Sequence, residues 1–375
     1  MGRFKGVVVW GVCLLLAAAL PGAWTVKRIT NNAGESENPA IATNGSNIFV
    51  AWDDDTPGNG EIYFRRSVDG GATWQNAKRL TNNEGFSGYP DIAANGQNVY
   101  VVWQNGDSGN ENVYFRKSPD GGATWNAAKR LTFDSGPADR PAVAVIGANV
   151  YVAWRDDSSG NTETYIVRST DGGVTWKSAM RLSNSPLDSS TLAIAVNTSY
   201  VYVVWDKVAA DDTAIFFRRS ADNGATWQAV QQITNNTGGS WTPSLAANGA
   251  ELQLAWDDDT AGNFDIYFKK STNRGGTWQT QKRISNNSGS SRNTALAVAN
   301  GNVVVAWNDQ TPGNNEIYFR KSADGGATWL AAQRLTNNTG YSTNPDVATN
   351  SSNVYVVYYD NTPGNYEIYL KYSPL

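Results

Sequence analysis

No histidine occurs anywhere in the 375 residues, and the chain has one cysteine and two methionines. Without histidine, Ser-His-Asp hydrolysis, Cys-His hydrolysis and His-ligated zinc centres are all excluded. Any catalysis has to run on carboxylates, tyrosine, lysine or arginine. The one cysteine, Cys13, lies in an apolar run from Gly6 to Leu20. The residues before it, Trp10-Gly11-Val12, are a poor match to a lipoprotein cleavage box. The run falls short of the roughly 20 apolar residues that a bilayer span needs. With Arg3 and Lys5 before it and Pro21-Gly22-Ala23 after it, residues 1–23 have the layout of a secretory signal peptide, cut after Ala19 or Ala23. Export would remove the only thiol, so the mature chain is expected to carry no disulfide, no thiol chemistry, no lipid and no membrane insertion.

Positive charge is also scarce. Without Arg3 and Lys5 the chain holds 28 basic against 34 acidic residues, a formal charge of −6. Such a surface gives nucleic acid or an anionic membrane no general reason to bind. Helical periodicity is missing throughout. Aromatic residues, in contrast, are abundant: 15 Trp and 17 Tyr are far more than a disordered chain carries.

Those aromatics are periodic. An octad, Ser67-Val68-Asp69-Gly70-Gly71-Ala72-Thr73-Trp74, recurs so that Trp74, Trp125, Trp176, Trp227, Trp278 and Trp329 are each 51 residues apart. A second series, Trp52, Trp103, Trp154, Trp205, Trp256 and Trp307, ends at Tyr358 and raises the number of units to seven. A fixed period of this size means stacked or radially arranged units. Each unit reads as four short strands. In the second they are Pro90–Ala94, with small side chains suited to crowding at an axis; Asn98–Trp103 and Val113–Ser118, nearly continuously apolar; and Trp125–Thr132, carrying Lys129 and Arg130 towards water. The N-terminal segment Lys27–Asn32 copies the fourth strand (compare Lys78–Asn83) but precedes any first strand, whereas the seventh unit still lacks its fourth at Ser373. The expectation is an all-β, seven-bladed propeller over residues 24–375, closed by the N-terminal strand completing the last blade and leaving no open sheet edge.

The octad resembles the Asp-box, or bacterial neuraminidase repeat, of sialidase-like propellers. It matches Ser-x-Asp-x-Gly-x-Thr-Trp with Asp69, Asp120, Asp171, Asp222 and Asp324; the fifth copy has Asn273 instead. The resemblance implies a hairpin turn between the third and fourth strands of a blade, and the residues suit it: glycines for turn dihedrals, a carboxylate for backbone N–H groups, Trp as an apolar plug. A second string, Asp54-Asp55-Thr56-Pro57-Gly58-Asn59-Gly60-Glu61, recurs three times. Calcium ligation and Asx turns both fit it, but its spacing is not that of an EF-hand, so no metal or other cofactor is assigned.

The resemblance also implies a ligand pocket at the axis, on the rim away from the boxes. Positions that vary among near-identical repeats are the informative ones there. Just before the first strand stand Glu37-Asn38, Gly88-Tyr89, Asp139-Arg140, Ser190-Thr191, Trp241-Thr242, Arg292-Asn293 and Thr343-Asn344. Just after the second-strand aromatic stand Asp53, Gln104, Arg155, Asp206, Asp257, Asn308 and Tyr359. Candidate ligand contacts are Glu37, Tyr89, Arg140, Arg155, Trp241, Arg292 and Tyr359, an asymmetric set of charges and aromatic faces suited to a polar or sugar ligand. Drift on a solvated rim is the competing reading. Arg65, Arg66, Arg116 and Arg320 recur by blade and look structural.

Sialidases use three arginines, a Tyr nucleophile assisted by Glu and an acidic acid/base, outside the usual two-carboxylate scheme. This sequence has no Phe/Tyr-Arg-Ile-Pro string, only Asp139-Arg140-Pro141. Its seven uniform blades also depart from the six-bladed sialidase form. The expected function is a secreted or cell-surface, monomeric, non-catalytic module binding an extracellular glycan or protein. The alternatives are an exo-glycosidase acting on sialic acid or a related acidic sugar, and a structural surface component.

Overall fold

The computed structural model describes residues 23–106, 110–133, 136–208 and 213–375. The expected signal peptide, with Cys13, lies outside them except for Ala23. Seven four-stranded antiparallel sheets stand in a ring, and among the described residues there is no helix. Blade 1 runs outward from Ser36–Asn44 through Asn47–Asp54 and Glu61–Ser67 to Lys78–Arg79. Blades 2 to 6 repeat this order. In blade 7 the sheet Ser342–Thr349, Asn353–Asp360, Glu367–Pro374 takes Thr25–Arg28 as its outer strand, with Thr25 opposite Tyr372 and Arg28 opposite Tyr369. The ring is closed as the terminal copies of the repeat require.

In blades 1 to 6 the outer strand is only two residues long, so the ladder takes in Lys129–Arg130 but not the whole span from Trp125 to Thr132. Exposed edges this short offer little template for pairing with another chain.

Each apolar cluster spans two blades. Tyr100, Val102 and Phe115 of blade 2 pack with Val143, Val152 and Trp154 of blade 3, and the same division recurs at all seven interfaces. The second-strand Trp, buried in each of the first six blades, stacks on an aromatic of the third strand, as Trp52 does on Tyr63 at 5.9 Å. Tyr358 does the same on Tyr369 in the seventh. At about 25 cal/mol per Å², each such ring contributes on the order of 4–6 kcal/mol of burial before entropy is counted.

The boxes fasten neighbouring blades together. Asp69 accepts hydrogen bonds from the Ser67 hydroxyl (2.7 Å) and the Thr73 N–H (2.9 Å). These bonds, with that of the Thr73 hydroxyl first among them, hold its carboxyl down at about 2. Asn273 preserves the turn: its Oδ1 accepts from the Thr277 N–H, and its Nδ2 donates to the Thr277 hydroxyl, reversing that one bond. In four of the six boxes the glycine at the fifth position of the octad lies against a Phe of the preceding blade; Gly71 lies against Tyr372 and Leu370 instead, and Gly224 against Tyr151. Gly122 has φ +88°, and a Cβ there would fall 2.3 Å from the Phe64 ring, so only glycine fits. In those four boxes the Trp meets the same Phe edge-on, Trp125 lying 5.0 Å from Phe64.

Trp24 fills this place for the last interface. It meets Phe319 edge-on at 5.0 Å and 77°, the geometry that the box tryptophans adopt elsewhere. The recurrent cations complete the fastening. Arg65, Arg116, Arg218, Lys269, Arg320 and Lys371 each donate to a carbonyl at the end of the preceding blade's outer strand. Arg66 donates to box carbonyls of the following blade.

The N-terminal segment thus supplies both a strand and a plug. Trp24→Ala should cost about 2–3 kcal/mol, somewhat below the loss for a fully buried aromatic, and lower the thermal midpoint while leaving one transition. Deleting residues 24–32 should lower it further and broaden the transition in calorimetry; an unchanged melt would contradict closure at this seam.

Candidate functional site

The inner strands begin at the rim away from the boxes, and each carries a β-bulge there. In blade 1 Glu37 pairs with Asp53 and Ala40 with Ala51, leaving Asn38 and Pro39 outside the regular register. In six blades the residue at the bulge has a left-handed backbone: Asn38, Tyr89, Arg140, Thr242, Asn293 and Asn344, with φ between 45° and 57°. Each such residue costs on the order of 1 kcal/mol or more. Compensation comes from the preceding blade. The Tyr89 N–H donates to Asp53 (3.2 Å), that of Arg140 to Gln104 (3.1 Å) and that of Thr242 to Asp206 (3.3 Å). In blade 4 Thr191 lacks the left-handed backbone, and its N–H and hydroxyl both donate to Asp206 within the blade.

These residues ring the mouth of an axial cavity of about 490 Å³, within the range of small-ligand sites. Below the mouth lie prolines, then a tier of Ala40, Asp91, Ala142, Ala193, Ser244, Ala295 and Asp346, then aliphatic side chains. One arc of the mouth is an amide chain: Asn293 donates to Asn344 (2.6 Å), Asn344 to Asn38 (3.4 Å) and Asn38 to Asp53 (3.1 Å). On the other arc the Arg140 guanidinium lies 5.1 Å from the Tyr89 ring, which Phe86 supports edge-on.

The structure therefore divides the sequence-derived candidates. Tyr89 and Arg140 line the cavity. Glu37, Arg155, Trp241, Arg292 and Tyr359 stand on the same rim but do not line it. Arg155 is held by Asp139, its Nε donating at 2.7 Å. Tyr359 meets Tyr366 edge-on at 4.9 Å, and burial raises its hydroxyl. Glu37 is raised by burial and by the charges of Glu35 and Asp55. Trp241 and Arg292 both pack on Phe264.

Asp91 and Asp346 are not among the sequence-derived candidates, although they break an otherwise Ala-or-Ser tier and so carry the same signal of variation. Each reaches across to the next blade. Asp91 accepts the Val143 N–H (2.7 Å) and Asp346 the Ile41 N–H (2.8 Å); Ser244 accepts that of Leu296. Desolvation raises Asp91 to about 7 and Asp346 to about 6.

The Asp54 string proves to be a turn network. The Asp54 carboxylate accepts from the Ser36 hydroxyl (2.6 Å), the Asn32 amide (2.6 Å), the Thr56 N–H (3.0 Å) and the Trp52 indole (3.3 Å). Among the described residues no group of three or more His, Cys, Asp or Glu is gathered as for a metal ion.

Two fully buried struts of the mouth give it a pH signature. Desolvation raises both Asp53 and Asp257 to about 7. An acid whose pKa is higher folded than unfolded contributes most below its unfolded value, and that contribution is lost as pH rises through the folded one. The melting midpoint should therefore fall by roughly 2–5 °C between pH 4.5 and pH 8. Asp53→Asn with Asp257→Asn, which keeps one oxygen acceptor at each site, should reduce that slope, the raised Asp91 and Asp346 supplying the remainder. A wild-type midpoint that rises with pH over this window would contradict the assignment.

Comparison with known proteins places this architecture. The model of the BNR repeat-like domain matches residues 35–252. No curated protein matches the chain in sequence. Among solved structures, Trypanosoma rangeli sialidase in complex with sialic acid superposes with a TM-score of 0.58 at 14% identity, over 94% of this chain and 59% of that one. This chain thus corresponds to well under two thirds of the trypanosomal enzyme. Phage phi92 endosialidase gives 0.57 at 9% identity, over 94% and 69%. The GH93 α-L-arabinofuranosidase of Fusarium graminearum, complexed with arabinobiose, gives 0.55 at 14%, over 77% and 93%. At such identities the likeness is one of fold. With its six in-register boxes and a domain match over more than half its length, the chain belongs to the BNR repeat-like family.

Proposed function

We propose that the protein is an exported, non-catalytic propeller that binds an extracellular glycan at the axial mouth. The observation that carries this reading is the separation of the arginines. Arg155 is neutralised by Asp139, Arg292 lies over Phe264 outside the cavity, and only Arg140 lines the mouth. No cluster of guanidinium groups closes on one point among the described residues, and the cavity carboxyls Asp91 and Asp346 spend oxygens on backbone N–H groups. What the mouth offers is a chain of amides, hydroxyls of Thr191 and Thr242, and one ring backed by a cation. Polar groups of that kind around an apolar floor suit the hydroxyls and the carbon face of a sugar. The apolar N-terminal run supports export, and a protein partner becomes secondary to a sugar.

One observation favours hydrolysis instead. A general acid must keep its proton near neutrality, and Asp91, which desolvation raises to about 7, comes nearest to that need. The neighbouring folds named above include glycosidases.

A glycan array separates the two. Wild type should bind a restricted set of glycans, Arg140→Ala and Tyr89→Ala should each lose at least ten-fold in affinity, and fluorogenic sialosides and arabinofuranosides should remain uncut. Glycoside cleavage that disappears in Asp91→Asn would replace the binding reading with the hydrolytic one.

A further inference from the structure

Outside the axial mouth, on the same rim, blades 5 and 6 carry a Trp–Phe–Arg group that no other pair of blades has at these positions among the described residues. Trp241 lies next to the mouth residue Thr242, and its ring packs on Phe264 at 5.0 Å with the planes tilted by 55°. Arg292, next to the mouth residue Asn293, reaches over from blade 6 and sets its guanidinium 3.4 Å from the centroid of Phe264. At the Trp241 position the other blades have Glu, Gly, Asp, Ser, Arg and Thr; at the Phe264 position they have Gly, Glu, Thr, Thr, Asn and Tyr.

Packing does not account for this group. Neither Trp241 nor Phe264 belongs to any of the seven apolar clusters, and both are half-buried at a wet rim. The loop is nevertheless built around the indole: a Cβ on Gly239 would fall 1.9 Å from it, so glycine leaves the space that the ring occupies. Arg292 is exposed and forms no ion pair among the described residues. Asp257 is close enough for its charge to be felt, but it is fully buried and accepts from the Thr242 and Thr294 hydroxyls. A guanidinium seated on a ring is pre-organised, and its N–H groups remain available to pair with a planar anion.

We propose that Trp241, Phe264 and Arg292 form a second saccharide subsite, one that takes an acidic sugar unit bearing a carboxylate or sulfate. The ligand is then an oligosaccharide that leaves the axial mouth between Thr242 and Asn293 and runs outward across blades 5 and 6. The indole face covers the carbon face of the sugar, and the guanidinium edge pairs with its anion. This rests on the reading of the axial mouth as a glycan site, and it adds a minimum length and a charge to the ligand.

Titration calorimetry on the full chain tests it with galacturonic acid, tetragalacturonate, a chondroitin sulfate tetrasaccharide and neutral cellotetraose. One of the acidic tetrasaccharides should bind at least ten-fold more tightly than cellotetraose; because the chondroitin tetrasaccharide carries both anions, its desulfated form tells sulfate from carboxylate. Trp241→Ala and Arg292→Gln should each remove most of that advantage, Arg292→Gln should flatten its salt dependence, and Arg292→Gln should leave binding of neutral cellotetraose unchanged. Trp241→Phe should restore part of the affinity, which separates a missing ring from a misfolded loop. If Tyr89→Ala abolishes binding while Trp241→Ala and Arg292→Gln leave it intact, the outer subsite is wrong and the axial reading stands. Loss on Trp241→Ala with no effect of Tyr89→Ala keeps the outer subsite and overturns the axial one. Failure of all four saccharides to bind overturns both.

Discussion

A blade of this protein cannot cover itself. Its second and third strands are apolar on both faces, and the partners for those faces lie in the two adjoining sheets, so every apolar cluster belongs to an interface between blades. Seven sheets then have seven interfaces only if the last meets the first. The Trp–Tyr stacks, the box tryptophans on neighbouring Phe rings and the cations that reach across to carbonyls all act over the same seams.

The axial mouth follows from the same arrangement. Where the inner strands converge, bulges turn one residue per blade into a left-handed conformation in six of the seven blades. The N–H groups freed by that turn are taken up, where a partner is formed, by a carboxylate or amide of the preceding blade. The side chain at the bulge is then released from any role in packing. Variation is therefore cheap there, and Asn, Tyr, Arg and Thr appear around a ring that is otherwise symmetrical. The struts below are less free: Asp53, Asp206 and Asp257 are buried, and their carboxyls are raised by desolvation.

The fold was almost wholly legible in the sequence, because periodic aromatics and a misplaced copy of Lys27–Asn32 report blade number and closure directly. The role of Trp24 as a plug was not, since it falls one position out of step with the box tryptophans. At the site, variation among repeats pointed to the rim where the axial cavity opens, and of the residues it singled out Tyr89 and Arg140 line that cavity. It could not tell which of two successive residues faces the axis, because the bulge shifts the strand alternation there. Arg155 looked free in the sequence, and only the register opposite Asp139 shows it to be paired. Asp91 and Asp346 were visible as departures from an Ala tier but lie inside the strand rather than before it. Phe264 gave no signal, since an aromatic just ahead of a third strand looks like more of the core.

The strand that completes the last blade is drawn from the opposite end of the sequence, and this imposes an order of events. Thr25–Arg28 leaves the ribosome well before Glu367–Pro374, against which it pairs. Six blades can assemble as they emerge, but the seam has to wait for more than three hundred further residues. Until then Thr25–Arg28 is a strand without a sheet and the Phe319 socket lacks its plug, which makes this joint the stage of biogenesis most exposed to mispairing with another nascent molecule.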